Sequence, residues 1–79
     1  MPEMRAEAAF RIAEKAEALK NQGSYKQAIH YHETALNVAP GELWNRVRIG
    51  ELQAASGDQE SARHTFKRIL RQAMKQQGL

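Results

Sequence analysis

The residues that could do acid–base or metal chemistry in this 79-residue chain are nine carboxylates and three histidines, and the chain has no cysteine. His30 and His32 lie two positions apart on a predicted helix, so they face different directions and cannot bind one metal ion from adjacent turns. The sequence has no histidine–carboxylate cluster at ligand spacing, no Ser/His/Asp arrangement and no glycine-rich phosphate loop. We therefore expect no metal, no cofactor and no enzymatic activity.

The remaining charged pattern is a basic ridge near the end of the sequence, where cations recur every four residues and so share one helix face. Residues 43–79 carry seven Lys and Arg against three Asp and Glu, whereas residues 1–42 carry five against six. The ridge could contact nucleic acid phosphates or an acidic protein, but cations near a helix C-terminus are also favoured without a ligand. We rank nucleic acid below protein as a partner. The ridge comprises Arg63, Lys67, Arg68, Arg71 and Lys75.

Four helices are predicted to position these residues, and the first two are marked by clear end signals. Apolar residues at helical spacing begin at Ala9. Gly23 ends this first helix because glycine adopts the positive φ of a helix C-terminus at no steric cost. Ser24 and Gln27 form a capping-box pattern at the start of the second helix. Pro40 disfavours helical geometry at the residue before it, so the second helix is expected to end there.

The second half of the chain has the same pattern. A third helix is predicted from about Glu42 to Ala55, and Gly57 ends it. Asp58 is suited to cap a fourth helix that runs to about Gln77. β-branched residues are sparse and nothing alternates with period two, so no strand is expected. The predicted inner faces of the last three helices are Ala28, Ile29, His32, Ala35 and Leu36, then Leu43, Val47, Ile49, Gly50 and Leu52, and finally Ala62, Phe66, Ile69, Leu70 and Ala73.

Bulk properties set the class of protein. No apolar run approaches the roughly 18 residues that a membrane span needs, and the N-terminus lacks the apolar core of a signal peptide. With no cysteine for disulfides, we expect a single soluble, cytoplasmic domain over residues 1–79. A chain of this size buries only about 60% of its unfolded surface, so every apolar face has to be used.

The sequence also repeats itself at an offset of 34 residues. The segment 23–28 returns as 57–62, and the same offset pairs Ala16 with Gly50. A repeat of this length is typical of helical hairpins that stack and bury their apolar faces against one another. The pattern therefore indicates a binding surface rather than a catalytic one.

These residues resemble the tetratricopeptide repeat, an antiparallel pair of helices with a period of 34 residues. The resemblance covers nearly the whole chain, with one unit over about residues 9–42 and a second over about 43–76. It implies an all-α fold in which two antiparallel helical hairpins, four helices in all, stack as a short right-handed α-solenoid. The matching positions are Ala16, Gly23, Tyr25, Ala28 and Pro40 in the first unit, and Gly50, Gly57, Ala62 and Phe66 in the second.

Five positions depart from the family pattern. Arg46 stands where the second unit should have a large apolar residue, and Lys15 stands where the first unit should have a leucine. His32 replaces an aromatic residue, Gln59 replaces the turn aromatic of the second unit, and Met74 replaces its closing proline. The first unit is therefore more degenerate in its first helix, and the second unit in its second helix.

The resemblance implies that the first helix of each unit lines a concave groove that holds a peptide or helix of a partner protein, as in a scaffold or adaptor. A variant groove that grips a C-terminal carboxylate is not expected, because Ala13, Glu17 and Arg48 occupy its positions. The groove residues carried over by position are Phe10, Ala13, Glu17, Lys20, Asn21, Trp44, Val47, Glu51 and Ala54.

Two features of this groove bear on its ligand. Trp44, the only tryptophan, lies two positions before the family's core tryptophan and is either a binding anchor or a packing residue. Glu17 and Glu51 would make the groove partly acidic, which favours a basic or amphipathic ligand. The alternative interpretation of Glu17 and Glu51 is that they are ordinary solvated carboxylates on a helix surface.

Two units leave one end of the predicted solenoid uncovered, because such arrays usually need about three units and a polar cap. Phe66, Ile69 and Leu70 would then have to be covered by the neighbouring hairpin or by another chain. We expect self-association, as in a homodimer, to close this end.

Overall fold

The computed structural model describes residues 2–76 and folds them into four helices. α1 spans Pro2–Asn21, α2 spans Tyr25–Val38, α3 spans Leu43–Ala55 and α4 spans Gln59–Gln76. Each helix packs against the next along the chain, and the Cα trace has extents of 37 × 31 × 14 Å, so two hairpins lie side by side in a flat molecule. The described range contains no strand, and the predicted all-α fold of two helical hairpins is confirmed.

The helix ends agree with the sequence pattern except at the N-terminus. α1 begins at Pro2 instead of Ala9, because proline is well tolerated in a first helical turn and most of the residues that follow it are good helix formers. These early residues lack the apolar spacing that marked the predicted start. α2 ends at Val38, ahead of Pro40 as predicted. The predicted end of α4 at Gln77 lies outside the described residues.

The turn between α1 and α2 has the geometry of a glycine-terminated helix. Gly23 has a φ of +81°, and its N–H donates to the Lys20 carbonyl at 2.9 Å. The Ser24 N–H donates to the Leu19 carbonyl at 2.9 Å, which completes a Schellman motif. The predicted capping box of Ser24 and Gln27 is wrong, because the Ser24 side chain makes no capping hydrogen bond. Its ψ of 67° lies outside the β region that aims an N-cap hydroxyl at the helix.

The turn between α3 and α4 repeats this backbone geometry. Gly57 has a φ of +94°, its N–H donates to the Ala54 carbonyl at 3.1 Å, and the Asp58 N–H donates to the Gln53 carbonyl at 2.9 Å. Here the side-chain cap is also made, since the Ser61 N–H donates to the Asp58 carboxylate at 3.1 Å. The predicted Asp58 cap is confirmed. The pKa of the Asp58 carboxyl is lowered by hydrogen bonds from Ser61, of which the bond from the side chain has the larger effect and the bond from the backbone the smaller.

The core consists mainly of alanine, which lets the helices approach closely. Ala16 and Ala28 are fully buried and form a cluster with Leu52 of α3. Gly50 allows an equally close crossing of α3 and α4, where an added Cβ would lie 2.8 Å from the Phe66 ring. The predicted small residues therefore lie at close helix contacts. The buried apolar residues of the described range are Ala9, Ala13, Ala16, Ala28, Ala35, Ile49, Leu52 and Ala62.

The predicted inner face of α4 is only partly covered. Ala62 is buried, whereas Phe66 is 42% exposed and Leu70 is 62% exposed. The reason is that α4 packs mainly against α3, which covers one side of it. Of the two expected ways to cover this end, the neighbouring hairpin therefore does not cover Phe66 and Leu70, while Ile69 is half-buried.

Candidate functional site

Phe10 and Trp44 are exposed aromatic residues at equivalent positions of the two units, 34 residues apart on α1 and α3. Phe10 is 56% exposed and Trp44 is 38% exposed. The Trp44 indole Nε1–H donates to the Glu42 carboxylate at 2.6 Å, which holds the ring in one orientation. The two hairpins thus present an aromatic ring at the same place on each first helix.

A charged cluster lies seven residues further along the same two helices. Arg48 of α3 contacts Glu17 of α1 at 3.7 Å from its Nε, and contacts Glu51 at 2.8 Å. The hydrogen bond and charge of Glu51, followed by the charge of Glu17, raise the pKa of Arg48. Lys20 lies 4.0 Å from Glu17. Because all four side chains are roughly half exposed, each pair contributes well under about 1 kcal/mol.

Arg48 was expected at a groove position that grips a carboxylate in a variant of the family, but it was not counted among the residues that bind the partner. It neutralises the two glutamates that were expected to make this surface acidic, because Glu17 and Glu51 both face its guanidinium. The spacing of three residues between Arg48 and Glu51 is a signal that could have predicted their pairing.

The other predicted groove residues are divided between surface and core. Asn21 is exposed, and Val47 and Ala54 are half-buried. Ala13 is 3% exposed and belongs to the core, so its side chain is out of reach of a ligand. We use the name first-helix surface for the aromatic and polar residues of the predicted groove that are exposed or half-exposed, together with Arg48, namely Phe10, Glu17, Lys20, Asn21, Trp44, Arg48 and Glu51.

A buried polar pair lies beneath the first-helix surface and joins the two units. His32 Nδ1 of α2 lies 3.0 Å from Asn45 Oδ1 of α3, and both side chains are at most 1% exposed. His32 Nε2 lies 4.0 Å from the Glu17 carboxylate, so the pair reaches the charged cluster. The Asn45 Nδ2 group is buried without a partner. His32 was predicted to lie on an inner face. Asn45 was not, although its spacing to Ile49 is helical.

The basic ridge lies on α4, away from the first-helix surface, and each of its five residues is exposed. Arg68, Arg71 and Lys75 line a cavity of about 260 Å³ together with Arg46 of α3 and Gln72. A larger cavity of about 590 Å³ lies between α2 and α4, with Glu33 facing the same space as Arg46 and Arg68. Sequence spacing predicted the ridge on α4, but it did not predict that Arg46 of α3 lines the same cavity.

Residues 2–76, which the structure describes, also bear on metal binding and on membrane insertion. No group of three or more histidine and carboxylate side chains there is placed to hold a metal ion. None of the four helices, as far as the structure describes them, is long and apolar enough to cross a membrane.

Comparison with protein-family models matches residues 19–78 to the tetratricopeptide repeat. The match covers well over half of the chain, which therefore belongs to the tetratricopeptide repeat family. Comparisons with curated proteins and with solved structures gave no match. Members of this family generally bind protein partners and are typically not enzymes.

Proposed function

We propose that this chain is a protein-interaction module that binds a peptide or helix of a partner on the first-helix surface. The observation that carries the proposal is the pair of exposed aromatic residues, Phe10 and Trp44, at equivalent positions of the two units. Buried aromatic anchors supply most of the affinity in many protein interfaces. The general role of the family in protein binding supports the same conclusion.

The spacing along α1 and α3 defines what the ligand must offer. Seven residues separate Phe10 from Glu17 and Trp44 from Glu51, a rise of about 10 Å along each helix. An extended peptide covers that distance with about three residues. The ligand therefore needs an apolar side chain for the aromatic pair, and a charged or polar side chain three or four positions away.

The charged cluster determines how the polar end of the ligand is recognised. Arg48 is already paired with Glu17 and Glu51, so a ligand cation or anion has to compete for one of these partners. Such partly exposed pairs are weak and exchange readily. We expect this end to select ligands by hydrogen bonding and salt-dependent pairing, and the aromatic end to supply most of the affinity.

A selection from a library of random linear peptides tests this function. The purified chain is the bait, and the Trp44→Ala variant is the counter-bait that removes one anchor. We expect enriched peptides that share an apolar residue, and we expect them to be lost on the counter-bait. Enrichment that is equal on both baits would show that the peptides bind elsewhere.

Self-association is a second candidate, favoured by the exposure of Phe66 and Leu70 on α4 and opposed by the basic ridge beside them. A pair of chains that meet through this face would cover both residues in each copy. Size-exclusion chromatography with light scattering tests this candidate. A dimer at micromolar concentration would support self-association, and a monomer would exclude it.

A further inference from the structure

The internal repeat allows α4 of the second unit to be compared with its equivalent in the first unit, α2. His32 and Phe66 occupy equivalent positions of α2 and α4, and their exposed fractions are 1% and 42%. Leu36 is half-buried, whereas its equivalent Leu70 is 62% exposed. The same face of the second helix is therefore covered in the first unit and open in the second.

The element that covers this face in the first unit is α3. Asn45 of α3 is hydrogen-bonded to His32, and it shares a buried helix face with Ile49 and Leu52. These three residues follow the i, i+4, i+7 spacing of one side of a helix. Because α4 is the equivalent of α2 in the second unit, we expect a helix with a similar stripe to fit on it. Such a stripe is narrow and consists of three or four residues.

The open face of α4 has a definite chemistry. Phe66, Leu70 and Met74 recur every four residues and are 42%, 62% and 46% exposed, so they form an apolar stripe about 12 Å long. The basic ridge runs alongside this stripe, and α4 carries one carboxylate, Glu60. The side chains of the ridge make no ion pair with any described residue, so the flank of the stripe is strongly positive.

A second copy of this chain is a poor occupant of that face. The α1 residues equivalent to the buried stripe of α3 are Arg11, Lys15 and Ala18, all of them exposed. Stacking α1 of one copy on α4 of another would place Arg11 and Lys15 against a positive flank. Pairing two α4 helices face to face would oppose their basic ridges, and like charges at an interface are strongly unfavourable.

We propose that the open face of α4 is the docking site for an amphipathic helix of a partner protein that carries carboxylates along one side of its apolar stripe. The helix lies on α4 as α3 lies on α2, with its apolar residues on Phe66 and Leu70. Its carboxylates pair with the basic ridge. This surface is separate from the first-helix surface, and the proposal does not depend on the function proposed for that surface.

A designed peptide of about 18 residues provides the probe, with leucines at i, i+3, i+4 and i+7 and glutamates along one flank. A matched peptide has glutamine in place of each glutamate. Fluorescence anisotropy of the labelled peptides measures binding to the wild-type chain and to the variants Leu70→Asp and Lys67→Glu. The control variant is Lys26→Glu, which reverses an exposed cation on α2.

We expect the acidic peptide to bind at least about tenfold more tightly than the glutamine peptide, which corresponds to about 1.4 kcal/mol. Leu70→Asp and Lys67→Glu should each weaken binding at least fivefold, while Lys26→Glu leaves it unchanged. Circular dichroism checks that each variant is folded, which we expect because the substituted residues are exposed.

Three results would overturn the proposal. The first is equal or undetectable binding of the two peptides. The second is a loss for Lys26→Glu as large as for Lys67→Glu, which would indicate unspecific charge attraction. The third is a wild-type dimer that Leu70→Asp separates into monomers, since a second copy would then occupy the face.

Discussion

His32 and Asn45 form the hydrogen bond that joins the two units, with 3.0 Å between Nδ1 and Oδ1 in a site closed to solvent. A histidine stands here where the family has an aromatic residue. An asparagine on the next unit meets it. Each of the two side chains supplies a hydrogen-bond partner for the other, and a buried polar side chain without a partner is costly.

The first prediction is that this pair is energetically coupled. Asn45→Ala leaves the His32 ring without its partner and should lower the free energy of unfolding by about 1–3 kcal/mol. His32→Phe alone should also be destabilising, because it removes the partner of Asn45. The double variant should lose less than the sum of the two single losses, as measured by urea denaturation. Strictly additive losses would mean that the hydrogen bond contributes nothing to the contact between units.

The second prediction concerns the close crossing of α3 and α4. An added Cβ at Gly50 would lie 2.8 Å from the tip of the Phe66 ring, which is partly exposed and can swing outward. Gly50→Ala should therefore change stability little, because lost ring packing offsets the gain in helix propensity of about 1 kcal/mol. In a Phe66→Ala background the same substitution should stabilise by about that gain. An equal effect in both backgrounds, measured by chemical denaturation, would show that the ring does not limit this crossing.

The third prediction is a pH dependence at the cap of α4. The folded chain lowers the pKa of Asp58 through hydrogen bonds from Ser61, so this group contributes stability above its unfolded pKa of about 3.9. That contribution disappears as the pH falls through the lower folded value. Thermal melts of wild type and Asp58→Asn should differ at pH 7 and converge in strong acid. Glu60→Gln is the control, and a difference that persists at the lowest pH would exclude the cap as its source.

The fourth prediction concerns the basic ridge. If it serves a protein partner and not nucleic acid, a labelled single-stranded DNA should bind weakly and lose its affinity steeply with salt, because the contacts are purely electrostatic. Binding is measured by anisotropy at about 0.15 M salt. Lys67→Glu and Arg71→Glu reverse charges of the ridge, with Lys26→Glu as the matched control. Tight binding at that salt, abolished by the ridge variants alone, would support the nucleic acid alternative.

Local signals in the sequence predicted most of the fold. Glycines at 23 and 57 end the first helix of each hairpin in the left-handed conformation that other residues rarely adopt. The capping role of Asp58 followed from the same kind of local signal. The capping role of Ser24 did not, because its backbone ψ of 67° does not direct the hydroxyl to the helix N–H groups.

The contacts between units were harder to predict than the helices. Asn45 is polar and lies among charged residues in the sequence, so its complete burial depends on the partner that α2 supplies from 13 positions away. Arg48 was expected at a groove position, but its pairing with Glu17 depends on how α1 and α3 lie beside each other in the fold. The exposure of Leu70 depends on which faces the neighbouring hairpin covers, and this is a property of the assembled fold.

Phe10 and Trp44 are the proposed anchors of a ligand on the first-helix surface. The most direct measurement is the affinity of one peptide selected on the wild-type chain for Phe10→Ala, Trp44→Ala and the control Leu70→Ala. We predict a loss of at least about tenfold for each aromatic substitution, as for interface anchors in general. Leu70→Ala, which changes an exposed apolar residue of α4, should bind as the wild type does. Unchanged affinity in both aromatic variants, with helicity intact, would contradict this account.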